Sequence, residues 1–436
     1  MPKSVVLLSV PGLRSRDLGA MPRLLDLTRK GVSVPLTHSF PAVTAPVQAT
    51  LATGVGPERH GVIANSLYLR DRGEVERWPA WGGKVQTPPL WETLKQRDST
   101  ITSALWFPSV AKGASADLVC TFDMDNVDPG SSRACETCPP ELSAALQDSL
   151  GPFPGARPLG GSLKQAAWIV DSFVQSAYVA RPRFSFVELS HLEIAAQKFG
   201  PDSTQVLTAV AELDMAVGAL VDGFAAAGIK DVNWLIASEY CIGPVNSVGY
   251  PNRTLREAGL LAPVVSGGVE HLAFRDSKAF ALVDHQVAHV YVRDHSDIAR
   301  AAAALRSDPA VDQVLVGDAR AAVGLNHERS GEIVILARPE SWFAYGWWLD
   351  DAAAPRVIPA HRKPGWDPVE ILQNAQDAGR RPDATLIKGS HGLVTTEASR
   401  EGLLVSSESH AWLAGREAGI RDADVSQLVL ELFGLE

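Results

Sequence analysis

The chain has 436 residues, 46% of them hydrophobic and 21% charged, with a formal net charge of −10. This is the composition of a globular protein with one large domain and an insertion, or with two domains. The acidic balance argues against a general nucleic-acid or anionic-membrane binder while leaving room for a local basic pocket, and no apolar run reaches the roughly 18 residues of a membrane helix.

The opening MPKSVVLLSVPGLRSRD has one lysine ahead of a short apolar run and no small-residue cleavage site. It reads as a first strand rather than a signal peptide, so a cytoplasmic location is expected. Val5 to Val10 is continuously apolar, as in a strand buried on both faces of a parallel sheet. A helix is predicted over Met21–Lys30, stopping at Gly31, and a strand over Val32–Leu36. FPAVTAPVQATLATGVGPERHGVIAN follows, from Phe40 to Asn65. Thr44 stands at the front of its apolar segment, with Pro46 suited to a first helical position. A hydroxyl there lies among unpaired N–H groups at the positive end of the helix dipole, which favours anions and phosphate in particular. An ordinary threonine cap would look the same.

Further along, Leu67–Trp78 alternates like a hairpin, Pro89–Arg97 reads as a helix and Ile101–Phe107 as a strand. Residues 112–140 lack periodicity and read as a long surface excursion. It contains Cys135 and Cys138, a lone C-x-x-C whose spacing is either chance or a local disulfide or metal clip. Leu163–Ala180 and Ser203–Ala227 are strong helices; Phe184–Leu189 and Val232–Ser238 are strands. Such alternation implies an α/β fold, a doubly wound, mostly parallel sheet. From residue 270 the texture changes: Ala279–Val292 and Gly331–Ala337 are strand-like, the helix Ser296–Arg306 lies between them, and an aromatic cluster runs from Ser341 to Asp351. Residues 270–380 are therefore read as an inserted α+β subdomain, with 1–269 and 381–436 forming the core, which closes on a helix over Asp424–Phe433. Trp342, Phe343, Tyr345, Trp347 and Trp348 suit a core, or the apolar wall of a ligand pocket.

Active sites of open α/β sheets lie beyond the carboxyl ends of the strands. That rule selects Ser9, Glu193, Glu239 with Tyr240, and His391, with Thr44 in the same crevice. Glu and His are ligands for zinc, and carboxylates also suit manganese or magnesium.

The order of these segments resembles the alkaline phosphatase superfamily, in its type I phosphodiesterase/nucleotide pyrophosphatase branch. The resemblance rests on VVLLSVPGL, MPRLLDLTRKGV, the Thr44 block with its P-E-R-H-G turn, ELSHLEIAAQKFGPDS, IASEYCIGPV and GSHG. It implies an alkaline phosphatase-like fold, with a Thr or Ser that attacks phosphorus at a site bridged by two metal ions. Thr44 matches the nucleophile, Glu193 and Glu239 match two metal-binding Asp positions, and His391 matches a late His ligand. The sequence departs from the pattern elsewhere. Ser9 or Pro11 holds the first-strand Asp position, and Gln197 and Tyr240 hold His positions, where they become candidates for substrate binding. Val47 stands where an Asn is expected. Asp284, His285 and His361 are candidate replacement ligands, and the basic run at His361 would also suit phosphate without metal. His289 and His60 read as structural histidines, and Asn65 as a turn residue behind the nucleophile helix. A sulfatase relative is disfavoured, since Thr44 to Gln48 lacks the arginine of that motif.

The resemblance implies a metal-dependent hydrolase of phosphodiester, pyrophosphate or related phosphorus ester bonds. It would use one or two divalent ions, zinc before manganese, and a small phosphoester substrate, with no nucleic-acid or membrane partner. The alternative is a pseudoenzyme of the same fold that only binds.

Overall fold

The structure, a computed structural model, describes residues 4–76, 82–122, 135–154, 162–266, 269–350, 383–394, 397 and 400–435. Its centre is a nine-stranded sheet. Across the sheet the strands run Ile420–Arg421, Val32–Thr37, Gly402–Ser406, Val232–Ser238, Ser4–Val10, Phe184–Glu188, Ser103–Trp106, Leu118–Phe122 and Cys135–Cys138. The four strands around Ser4–Val10 are parallel; the Gly402–Ser406 and Cys135–Cys138 strands are antiparallel to their neighbours.

All seven residues of Ser4–Val10 are buried, and the period-2 alternation of a strand divides them between two cores. Val6, Leu8 and Val10 face the helices Leu163–Ala180 and Thr204–Ala226. Val5 and Leu7 face Thr44–Thr53, Leu90–Arg97 and Asp424–Phe433. Helices on both faces explain why the strand is apolar throughout, and they make the fold α/β with a large, mostly parallel sheet. Ser162 and Ser203 start the two long helices by accepting hydrogen bonds from Gln165 N and Val206 N, the usual work of an N-cap hydroxyl.

A second sheet holds Ala279–Asp284, Val287–Val292, Ile333–Ala337 and Val311–Val316, in that order and all antiparallel. Leu255, Ala301, Ala302 and Leu305 from two helices pack on it. Phe343, Tyr345, Trp347 and Trp348 are buried in the same core, while Trp342 packs with Val245 and Ile387. The aromatic cluster is core rather than pocket wall.

Several local expectations are corrected. Within 112–140, Leu118–Phe122 and Cys135–Cys138 pair and extend the sheet rather than forming a plain excursion, while 123–134 lie outside the described residues. Cross-strand pairing supplies hydrogen bonds that sequence periodicity does not display. Cys135 and Cys138 are three apart on one strand, hence on opposite faces, and both are free thiols. The helix predicted over Met21–Lys30 is confined to Pro22–Leu27, behind a 3-10 turn at Ser15–Ala20. Ala279–Val292 is two strands joined at His285-Gln286.

Candidate active site

Thr44 is the first residue of the helix Thr44–Thr53, and Pro46 is the third rather than the first. The Ala45 N–H donates to Asn65 Oδ1 at 2.9 Å. Asn65 in turn donates to Asp284, from its backbone N–H at 2.8 Å and its Nδ2 at 2.9 Å. Asn65 thus ties the front of this helix to the hairpin that carries Asp284. Only the turn through His60 that brings the chain back to the helix front could have signalled it. Asp284 is a clamp on this turn rather than a member of the ligand cluster below.

The Thr44 Oγ1 is 3.1 Å from Tyr240 Oη. The Tyr240 hydroxyl donates to Glu193 Oε1, also at 3.1 Å, which leaves the threonine hydroxyl as donor to the tyrosine oxygen. Glu193 opens the helix Glu193–Phe199 and accepts from Gln197 Nε2 at 2.9 Å. Gln197 and Tyr240, the two residues in histidine positions, both spend a hydrogen bond on this one carboxylate.

His391 is fully buried and its ring stacks on Tyr240, with centroids 3.8 Å apart and planes 5° apart. Its Nδ1 is 2.8 Å from the Ala42 carbonyl. A carbonyl only accepts, so Nδ1 carries the proton and Nε2 keeps a lone pair. Nε2 has no hydrogen-bond partner among the described residues and stands 3.6 Å from Glu193 Oε1. His285 closes the cluster from the second sheet, its ring centroid 3.6 Å from that of His391. It is the first residue of a two-residue hairpin turn and takes φ +60, a conformation that costs a non-glycine residue about 1 kcal/mol or more. One donor atom from each of Glu193, His285 and His391 lies within 4.8 Å of the others. His361 lies outside the described residues.

Glu239 is elsewhere. Its Oε1 accepts from Ser9 Oγ at 2.7 Å and from Gln48 Nε2 at 2.6 Å, and the same Gln48 nitrogen donates to Glu188 Oε2 at 2.7 Å. Glu188, the last residue of its strand, was not singled out from the sequence. Its signal was the same position at a strand's carboxyl end that marked Glu239.

Charge follows this geometry. Burial, opposed by the His391 and His285 interactions, leaves Glu193 below the usual carboxylate range. Burial, aided by His285, lowers His391 and so favours the neutral imidazole. Burial pushes Glu188 up to about 7. Burial, with Glu188 adding, holds Glu239 well above a normal carboxylate, and burial raises the Tyr240 phenol far above its ordinary value. His289 and His60 are structural. His289 meets the Ile63 carbonyl and the Gly331 N–H, and His60 meets Thr50 and the Val62 N–H.

A family model for type I phosphodiesterase/nucleotide pyrophosphatase matches residues 5–367. The chain belongs to this family. An uncharacterized pyrophosphatase/phosphodiesterase of Schizosaccharomyces pombe is 23% identical over 255 residues, 56% of this chain and 45% of that protein. Mouse ectonucleotide pyrophosphatase/phosphodiesterase family member 1 is 23% identical over 250 residues, 54% of this chain and 23% of that protein. The chain thus spans less than half the length of these two relatives. Among solved structures, an inactive threonine-to-alanine form of murine ectonucleotide pyrophosphatase/phosphodiesterase 5 in complex with AMP has the same fold. Its TM-score is 0.65 at 15% identity, covering 100% of this chain and 96% of that one. Phosphonoacetate hydrolase from Sinorhizobium meliloti 1021, in complex with phosphonoformate, gives 0.62 at 18% identity, covering 99% and 96%.

The two metal positions implied by the family differ here in fit. At the first, a carboxylate and two imidazoles converge. The 3.6 Å between His391 Nε2 and Glu193 Oε1 is close to the roughly 3.4 Å edge of a tetrahedron with bonds of about 2.1 Å. The Ala42 carbonyl fixes the ligand tautomer of His391, as an outer-shell partner of a metal-bound His does. These residues fit a metal. At the second, neither Ser9 nor Pro11 offers a carboxylate, Tyr240 offers a phenol, and Glu239 is engaged by Ser9 and Gln48. These residues do not fit one.

Proposed function

We propose that this chain hydrolyses a phosphodiester, pyrophosphate or related phosphorus ester with Thr44 as nucleophile, using a divalent ion, zinc before manganese, held by Glu193, His285 and His391. The observation that carries this reading is the Thr44–Tyr240–Glu193 hydrogen-bond chain at the front of a helix, beside the buried His391 Nε2, which has no hydrogen-bond partner among the described residues and lies 3.6 Å from Glu193 Oε1. The AMP complex of the murine relative, formed with an inactive threonine-to-alanine variant, supports a threonine nucleophile and a nucleotide-like substrate.

Thr44 Oγ1 would bond to phosphorus as the bond to the leaving-group oxygen breaks, that oxygen keeping the electron pair. The threonine proton has a path through Tyr240 Oη to Glu193 Oε1. Asn65, held by Asp284, keeps its second Nδ2 hydrogen for a phosphate oxygen, beside the positive end of the helix dipole. Water then displaces Thr44 from phosphorus and restores the hydroxyl. A bound divalent ion would supply Lewis-acid stabilisation of the charge developing on the phosphoryl oxygens.

The test is hydrolysis of bis(p-nitrophenyl) phosphate and of ATP by the full chain and by Thr44→Ala. Turnover that drops to buffer background in the variant, with an unchanged circular dichroism spectrum, is the expected result; equal rates would overturn the assignment. The competing reading, a binding protein, draws on Ser9 or Pro11 at the first-strand Asp position and Gln197 and Tyr240 at the two His positions, and requires no turnover by either form.

A further inference from the structure

We propose that this chain holds one metal ion where its family pattern implies two, the second position being filled by a hydrogen-bonded cluster of Gln48, Ser9, Glu188 and Glu239, with Tyr240 standing at Thr44 in place of a metal. The inference rests on the hydrolase reading for its metal at Glu193, His285 and His391, but its cluster is read independently.

The deciding group is the Gln48 side-chain amide. Its Oε1 accepts the Ser109 N–H at 2.6 Å, and an N–H donates only to oxygen, so the orientation of the amide is fixed. The Nε2 therefore faces inward, 2.7 Å from Glu188 Oε2 and 2.6 Å from Glu239 Oε1. Two carboxyl groups that would otherwise invite a cation are bridged by the two hydrogens of one neutral nitrogen. A metal ion and that nitrogen cannot share the space. Ser9 adds a third donor to the cluster, at 2.7 Å from Glu239 Oε1. Gln48, Ser9 and Glu239 are fully buried, and Glu188 is 8% exposed. No His, Cys, Asp or third Glu joins Glu188 and Glu239 among the described residues, whereas Glu193, His285 and His391 do form such a group.

Tyr240 completes the replacement. A metal at Thr44 would hold the threonine oxygen by coordination. Here the Tyr240 hydroxyl holds it by a hydrogen bond at 3.1 Å and is itself fixed by Glu193 and by stacking on His391. Tyr240 both positions the nucleophile and gives its proton a path to Glu193, and Glu239 is part of the scaffold beneath it.

Elemental analysis of the full chain, purified without metal-affinity steps and equilibrated with excess zinc before desalting, tests this. One equivalent of zinc is expected in the wild type and in Glu239→Gln, whose amide keeps the oxygen that Ser9 and Gln48 need. His391→Ala is expected to hold none. Two equivalents in the wild type, or loss of zinc in Glu239→Gln with an unchanged unfolding midpoint, would overturn the proposal. Tyr240→Phe is expected to keep its zinc and its KM while kcat falls about 10- to 100-fold, the scale of a misplaced reacting group. A phenolate absorption band appearing when zinc is added to the wild type would make Tyr240 a ligand and overturn its positioning role. The outcomes separate the two readings. Two equivalents with Thr44-dependent turnover reject this inference alone. One equivalent without turnover rejects the hydrolase alone.

Discussion

His391 has one ring nitrogen committed to a main-chain carbonyl and the other aimed at Glu193. That pairing, more than the presence of a histidine near the end of the chain, fits it to hold a metal ion. Glu188 illustrates the opposite case, a carboxyl whose environment resists charge. Its folded value of about 7 lies above the 4.5 of an unperturbed glutamate. The folded protein therefore binds the extra proton between those values, and the stability this group contributes is complete below pH 4.5 and lost as pH rises toward 7. A melting temperature that declines from pH 5 to pH 7.5, with a flatter decline in Glu188→Gln, is the expected pattern. The difference in slope should be at most about 1.4 kcal/mol per pH unit, the value for one proton. An identical pH profile in both proteins would show that Glu188 is ionised throughout. At this scale the sequence made Thr44, Glu193, His285 and His391 candidates, since each is a residue of suitable chemistry beside a turn or strand end. It did not reveal Asn65 or Glu188 as members of the network, because their roles are hydrogen bonds to residues 20 and 140 positions away.

Among the elements, the hairpin Ala279–Val292 matters most to the site. Its turn, His285-Gln286, lacks the Gly or Asn that two-residue hairpins prefer, so the sequence reads as one long strand. The left-handed φ of His285 places an imidazole against His391 where a glycine would relax the backbone. His285→Asn keeps a residue tolerant of that conformation but shortens the reach. The unfolding midpoint of chelator-treated protein should stay within a few degrees of wild type, while zinc affinity, measured by competition with a chromogenic chelator, falls about 10- to 100-fold. Asp284 anchors the same tip on Asn65. Asp284→Ala strands the Asn65 N–H and Nδ2 groups, and a loss of about 1–3 kcal/mol in denaturant unfolding is expected. The long helices were legible to the residue: Leu163–Ala180 and Asp424–Phe433 coincide with their apolar periodicity. The Leu118–Phe122 and Cys135–Cys138 pair was not, because a sheet edge is stabilised by a neighbour that the local sequence does not contain.

Over the whole molecule, two hydrophobic layers flank the large sheet, and a third core fills the smaller one. The aromatic residues Tyr345, Trp347 and Trp348 belong to that third core, so truncating one should act through packing. Trp347→Ala is expected to lose about 3–5 kcal/mol of unfolding free energy with KM for p-nitrophenyl esters unchanged. A raised KM with no loss of stability would instead make Trp347 a wall of the substrate site. The core and the second sheet meet where His391 and Gln286 are joined, the Gln286 N–H donating to the His391 carbonyl at 2.9 Å. The candidate site is thus shared between the two sheets.

By itself the sequence determined the α/β alternation, because a strand covered by helices on both faces must be apolar throughout, as Val5 to Val10 are. It also determined the family, since the Thr44 block and the strand-end residues keep their order along the chain. Only the tertiary structure decided which candidates meet. Glu193 and Glu239 are both acidic residues near strand ends, yet one faces two imidazoles and a tyrosine hydroxyl while the other faces an amide and a serine. That division depends on which side chain fills each space within the packed sheet. Contacts such as Thr44 with Tyr240, 196 residues apart, exist only once the helix that Thr44 opens and the segment following Val232–Ser238 are brought together by the folded sheet.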